Sequence, residues 1–131
     1  MKKLTSSMIA MLAKQLPIQA TTSKGGIPDI GPKRSLRKYD ESTLIYNENT
    51  CGQTLQNIID GSKIAVAIIN RERLDGYRFV GSPEIFCEGE PYMDALEFAK
   101  KKGIAPPKFA ILIHLENIYS LSSGNTAGKE L

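Results

Sequence analysis

A chain of 131 residues, 41% hydrophobic and 24% charged, has room for one modest core and the makeup of an ordinary globular domain. Seventeen Lys and Arg against fourteen Asp and Glu leave a net charge of +3, too small to argue for a nucleic-acid partner but suited to a small anionic ligand. Two cysteines without CxxC spacing and a single histidine speak against a disulfide scaffold and a dedicated metal site, and read as a reduced cytoplasmic protein.

The N-terminal Met-Lys-Lys-Leu-Thr-Ser-Ser has the charge of a signal-peptide start. Lys14 and Gln15 break the apolar run that follows, and no small-residue cleavage site stands out. No stretch reaches the ~20 apolar residues of a membrane helix, so no membrane partner is expected. Thr5 to Leu16 is predicted as an amphipathic helix with Met8, Ile9, Leu12 and Leu16 on one face, capped by Ser6 or Ser7 and ended by Pro17. Ile18 to Thr22 reads as a short strand and Lys24-Gly25-Gly26 as a turn. Pro28 to Tyr39 reads as a longer strand interrupted at Pro32, which must sit at an edge or bulge. After the turn Asp40-Glu41-Ser42, Thr43 to Tyr46 pairs back and completes a β-meander.

Asn47 to Asn57 is a loop entering a short helix, with Leu55, Ile58 and Ile59 at helical spacing and Gly61 as its stop. Lys63 to Asn70 is nearly continuous in apolar residues, which predicts a central strand covered on both faces. Tyr77 to Cys87 is a second long strand, with Gly81 and Pro83 marking a bulge. Pro91 to Lys102 is a helix with Met93, Leu96 and Ala99 inward, stopped by Gly103. Phe109 to Leu115 is a strand, Asn117 to Leu121 a further pairing segment, and Ser122 to Leu131 a polar tail, loose or ordered on a partner. The sum is mainly β with short helices, and a closed or nearly closed barrel protects so many edges best.

Two segments are candidates for anion binding. The helix start around Thr50, Gly52, Gln53 and Thr54 leaves backbone N–H groups unpaired, to which Thr54 and Gln53 add donors; an ordinary capped helix explains the same residues. Pro32-Lys33-Arg34-Ser35-Leu36-Arg37-Lys38 is the densest basic segment. On a strand, Lys33, Ser35 and Arg37 share a face, and a Lys with a Ser grips a phosphate; a solvated edge strand is the equal alternative. His114, between Ile113 and Leu115, reads as a paired core or interface histidine. Cys51 lies near the helix start, where a thiol pKa can fall, but no spacing supports a Cys51–His114 nucleophilic pair.

The order of Pro28-Asp-Ile-Gly-Pro-Lys-Arg-Ser-Leu-Arg37, Thr43-Leu-Ile-Tyr46, Cys51-Gly-Gln-Thr-Leu-Gln-Asn-Ile58, the apolar strand 63–70, Gly76-Tyr-Arg-Phe-Val-Gly-Ser-Pro-Glu-Ile85 and Asn125-Thr-Ala-Gly-Lys129 resembles the pyridoxamine 5′-phosphate oxidase-like family of FMN-binding split barrels, in its short single-domain branch. The resemblance covers nearly the whole chain. It implies a split β-barrel homodimer with FMN near the subunit interface. By position, Lys33, Ser35 and Arg34 would face the FMN phosphate, and Gln53 and Thr54 would meet it from the helix start. The backbone of Ile30, Gly31 and Pro32, with Tyr46 and Asn47, would flank the isoalloxazine, while Asn57 would brace the loop. One departure stands out: the family often has Gly-Lys-Thr where this chain has Gly52-Gln53-Thr54, which removes a charge-assisted contact of ~1.5–3 kcal/mol.

The function implied is a flavoprotein, an oxidoreductase of unspecified substrate, with no side chain singled out as catalytic and no metal. A non-catalytic protein that stores FMN or carries electrons has the same residues. A deazaflavin- or haem-binding split barrel is a further alternative, in which His114 would be the axial ligand.

Overall fold

The computed structural model describes residues 2–131. Its elements run α1 (Ser6–Lys14), β1 (Ile18–Thr22), β2 (Pro28–Pro32), β3 (Arg37–Asp40), β4 (Thr43–Glu48), α2 (Gln53–Ile59), β5 (Ile64–Asn70), β6 (Asp75–Phe86), α3 (Glu90–Lys102) and β7 (Phe109–Ser120). The strands form one seven-stranded sheet in the order β2-β1-β5-β6-β7-β4-β3, antiparallel at every step.

The outermost strands, β2 and β3, are consecutive in the chain, joined only by residues 33–36. Five Cα steps from Pro32 to Arg37 span at most about 19 Å. Six strand spacings in a flat sheet would separate the two edges by about 29 Å. The sheet must therefore curl, and the fold is a split barrel whose seam is crossed by chain rather than by a hydrogen-bonded ladder. Leu36 plugs the seam, 2% exposed.

The predicted single strand Pro28 to Tyr39 is thus two strands at opposite edges. Pro32, with no N–H, ends the first; Leu36 N–H then donates to Lys33 O at 3.1 Å and closes a turn.

Inside the barrel, Tyr46, Ile64, Val66, Ile68, Phe79, Ile111 and Ile113 pack with Met8 and Leu12 of α1, which covers one mouth. A smaller cluster of Ile45, Ala110 and Leu112 lies on the outer face of β4 and β7, beneath Ala95 of α3. This sandwiching explains why every residue of β4 is buried. Buried alanines rather than longer side chains let α3 lie close, and Met93, predicted inward, is 61% exposed. Strand β5 also departs from expectation: Ile64, Val66 and Ile68 face the core, but Ile69 is 53% exposed, so the strand is covered on one face only.

The cap of α1 is Thr5, whose Oγ1 accepts from Met8 N–H at 3.3 Å, in place of Ser6 or Ser7. Segments 109–115 and 117–121 are one strand, β7. The tail is ordered on its own chain: Ser120 N–H donates to Lys129 O at 2.8 Å, Gly128 N–H to Ser120 O at 2.7 Å and Leu131 N–H to Ile118 O at 2.8 Å. Lys2 Nζ reaches Leu131 O at 2.7 Å.

The register shift at Val80/Gly81 between β6 and β7 is the predicted bulge. A Cβ on Gly81 would stand 2.3 Å from His114 O, whereas one on Gly31 would meet nothing within 4 Å. Gly81→Ala is therefore expected to destabilise the fold by roughly 2–4 kcal/mol and Gly31→Ala by less than about 1 kcal/mol, read from urea unfolding midpoints.

Candidate functional site

The meander and the α2 loop enclose a cavity of about 290 Å³. One wall is β2 with its following residue: Asp29, Ile30, Gly31, Pro32 and Lys33. The other is Glu48 at the end of β4, then Thr50, Gly52, Gln53 and Thr54. Gln19, paired with Gly31 in the β1–β2 register, forms part of the same lining.

Glu48 organises this wall. Its carboxylate is 1% exposed. Oε2 accepts from Cys51 N–H at 2.9 Å and lies 3.9 Å from Lys33 Nζ. The loop into α2 is thereby tied to the strand before it, with Cys51 held at φ 52°. Lys33 also stands 4.8 Å from the centre of the Tyr46 ring. Across the cavity, Thr54 Oγ1 donates to Asp29 Oδ2 at 2.8 Å. Gln53 Nε2 donates to Asn57 Oδ1 at 2.6 Å, and Asn57 Nδ2 to Thr21 Oγ1 at 3.0 Å, so Asn57 braces α2 against β1. Two lining residues keep a buried oxygen without a partner: Gln19 Oε1 and Glu48 Oε1.

Six of the ten residues singled out from the sequence therefore share this cavity: Ile30, Gly31, Pro32, Lys33, Gln53 and Thr54. The other four do not line it. Arg34 and Ser35 border a second cavity, of about 320 Å³, with Phe98, Lys102 and Ile104. The reason is the turn at 33–36, which breaks the strand alternation that would have put Lys33 and Ser35 on one face. Ser35 Oγ instead accepts from Asn47 N–H at 2.9 Å. Asn47 Nδ2 donates to Ala95 O at 3.0 Å, and Arg37 Nη1 to Asn47 Oδ1 at 3.3 Å, so Asn47 is a tie between β4 and α3. Arg37 is fixed by Asp94 at 2.7 Å and stacks 3.8 Å over Phe98.

Tyr46 is fully buried behind the lining, its hydroxyl accepting from Gln19 Nε2 at 3.2 Å. Burial, chiefly, pushes this phenol well above its ordinary range; the Gln19 bond opposes the shift and the nearby Glu48 charge adds to it.

The sequence reading missed Gln19, Asp29 and Glu48. The signal for the first two was β alternation read through the correct strand limits, which sets Gln19 opposite Gly31 and Asp29 on the same side as Gly31. For Glu48, nothing local separates a buried carboxylate from a solvated one.

His114, predicted in the core or an interface, is half-exposed on β7 and bonds Glu84 Oε1 through Nε2 at 2.8 Å. It does not line the cavity. No helix among the described residues is long and apolar enough to cross a membrane.

A family profile described as pyridoxamine 5′-phosphate oxidase matches residues 10–122. The chain belongs to that family. Within its fold, HupZ of Group A Streptococcus is 48% identical, with a TM-score of 0.88 over 95% of this chain and 99% of that one. An uncharacterised protein of Methanocaldococcus jannaschii is 33% identical over 130 residues, 97% of this chain and 87% of its own length. An FMN-binding protein from Syntrophomonas wolfei, 18% identical with a TM-score of 0.72 over 91% of this chain and 84% of its own, shares the fold.

The cavity of this family member sets one cation and the uncapped start of α2 beside two carboxylates, Asp29 and Glu48. Lys33 stands 3.9 Å from Glu48, the side-chain donors of Thr54 and Gln53 go to Asp29 and Asn57, and the first backbone N–H groups of α2 have no side-chain cap. The unpartnered oxygens of Gln19 and Glu48 lie beneath the lining rather than at its surface.

Two outcomes follow. Lys33→Met should cost roughly 2–4 kcal/mol by stranding buried Glu48, and the Lys33→Met/Glu48→Gln double variant should recover at least about 1 kcal/mol of it, as a double-mutant cycle in urea measures. Because folded Tyr46 resists ionisation while unfolded Tyr46 ionises at its ordinary pKa of 10.0, its contribution to stability is whole below that pH and declines above it. Tyr46→Phe should flatten that alkaline decline in denaturant titrations at stepped pH.

Proposed function

We propose that the protein is a flavin-binding member of the pyridoxamine 5′-phosphate oxidase family, with the ligand received between β2 and the start of α2. The observation that carries this reading is the cavity itself, in which β2 with Lys33 and the start of α2 with Gln53 and Thr54, two segments far apart in the chain, face each other. The start of α2 has no side-chain cap, so its first N–H groups stand ready for a ligand's acceptors beside the charge of Lys33. Family membership makes a flavin the first such ligand to consider, FMN being the form the family's FMN-binding members use.

A bound flavin would supply two-electron and one-electron redox chemistry. The chain would supply position: β2 and the start of α2 would hold the ligand between them, Lys33 neutralises Glu48, and Asn57 keeps α2 in place. No lining side chain is assigned a proton-transfer role, so oxidoreductase and electron-carrier roles differ only in whether reduction by NAD(P)H leads to turnover on an acceptor. The functional unit is read as a homodimer: Ile27, just before edge strand β2, and Ile30, on it beside the cavity, are 70% and 73% exposed and form apolar surface that a second copy would cover.

Titration with flavin, followed by quenching of flavin fluorescence, should show saturable binding. Lys33→Ala should weaken it roughly tenfold, the worth of one charge-assisted hydrogen bond, while Lys101→Ala on the solvated face of α3 leaves it unchanged. Absence of quenching, or equal effects of the two variants, counts against this placement.

A further inference from the structure

We propose that the cavity between the 33–36 turn and the end of α3 is a second binding site, one that takes an aromatic carboxylate. It is separate from the cavity between β2 and α2 and does not depend on what that cavity holds.

The two cavities lie on either side of one short tether, and their charges differ. Lys33 lines the first, together with Asp29 and Glu48. Arg34 lines the second, of about 320 Å³, with Ser35, Phe98, Lys102 and Ile104, and no carboxylate is among them. Arg34 and Lys102 enter no salt bridge among the described residues. Two positive charges therefore border this cavity without a counter-charge of its own. Arg37, by contrast, is neutralised by Asp94 at 2.7 Å.

The walls are held in place by the chain itself. Ser35 Oγ accepts from Asn47 N–H at 2.9 Å and Ser35 O accepts from Arg37 Nη1 at 2.7 Å, which pins the turn to β4 and β3. Gly103, at φ 67°, ends α3, and Ile104 N–H returns to Ala99 O at 3.0 Å. Ile104 is thus fixed at the helix end with 46% of its surface exposed. A flat apolar body set against Phe98 and Ile104 would cover hydrophobic surface and stack on an aromatic ring.

The polar groups select the charge of that body. The Arg34 fork matches a carboxylate with two parallel N–H···O bonds, and Lys102 adds a point charge. Lys102 Nζ stands 5.8 Å from the centre of the Phe98 ring, so the ring and the charge of a ligand would be met side by side. A phosphate asks for more donors than these. The one hydroxyl in the lining, that of Ser35, is spent on Asn47, accepting from its N–H and donating to its O at 3.4 Å.

The test is isothermal titration calorimetry of the protein as purified with 2-naphthoate, and with 2-naphthamide as its uncharged counterpart. The carboxylate should bind saturably at one site per chain with a Kd below about 1 mM, and the amide at least about tenfold more weakly. Arg34→Gln should weaken 2-naphthoate binding roughly tenfold and Phe98→Leu roughly threefold to tenfold. Lys101→Gln, which removes the same charge from α3 outside the cavity, should leave it unchanged. No saturable binding, equal affinity for the amide, or an equal loss in Arg34→Gln and Lys101→Gln overturns the inference. Each of these results leaves the flavin reading standing, because the flavin titration reports on the other cavity. Should Phe98→Leu fail to fold by circular dichroism, the amide and Arg34→Gln, a change at an exposed residue, decide the outcome by themselves.

Discussion

Everything in this molecule follows from the short tether between its two outermost strands. A seven-stranded sheet whose first and last members are joined by four residues has no flat solution. Curling brings β2 round towards β4 and α2, and that approach makes the cavity. The tether also decides which basic residues take part. Lys33, at its start, stays with the cavity, while Arg34 and Ser35 turn towards α3.

Within the cavity the governing term is the desolvation of Glu48. A carboxylate removed from water must be compensated by a cation or by donors. This chain compensates with one backbone N–H and one lysine at 3.9 Å, leaving the second oxygen bare. The arrangement orders the left-handed residue Cys51 and the loop into α2. A positive anion cradle was the natural reading of Lys33 and the helix start taken separately. In the fold Lys33 gains Glu48 as a neighbour and Thr54 gains Asp29, so carboxylates share that cradle.

Much of the architecture was legible because it depends on local pattern. The period of Met8 and Leu12, the Pro91 start and Gly103 stop of α3, and the Gly81 bulge all announce themselves within a few residues. The juxtaposition of β2 with the α2 loop followed from the order of segments rather than from any one motif. What escaped depends on tertiary context. Pro32 signals an interruption, but only the curl of the sheet shows that β2 and β3 lie at opposite edges. The alanine face of α3 outweighed the more hydrophobic Met93 because close approach to β4 and β7 needs small side chains. The burial of Glu48 and Asn47 is set by neighbours far along the chain, Lys33 and Ala95, which no window of sequence displays.

The docking of the C-terminal segment on β7, with Lys2 Nζ reaching Leu131 O at 2.7 Å, sets residues 2 and 131 near each other. A brief linker between these two residues, with fresh ends opened in the exposed turn between β5 and β6, would yield a circular permutant of residues 2–131 with the barrel, the seam and the cavity untouched.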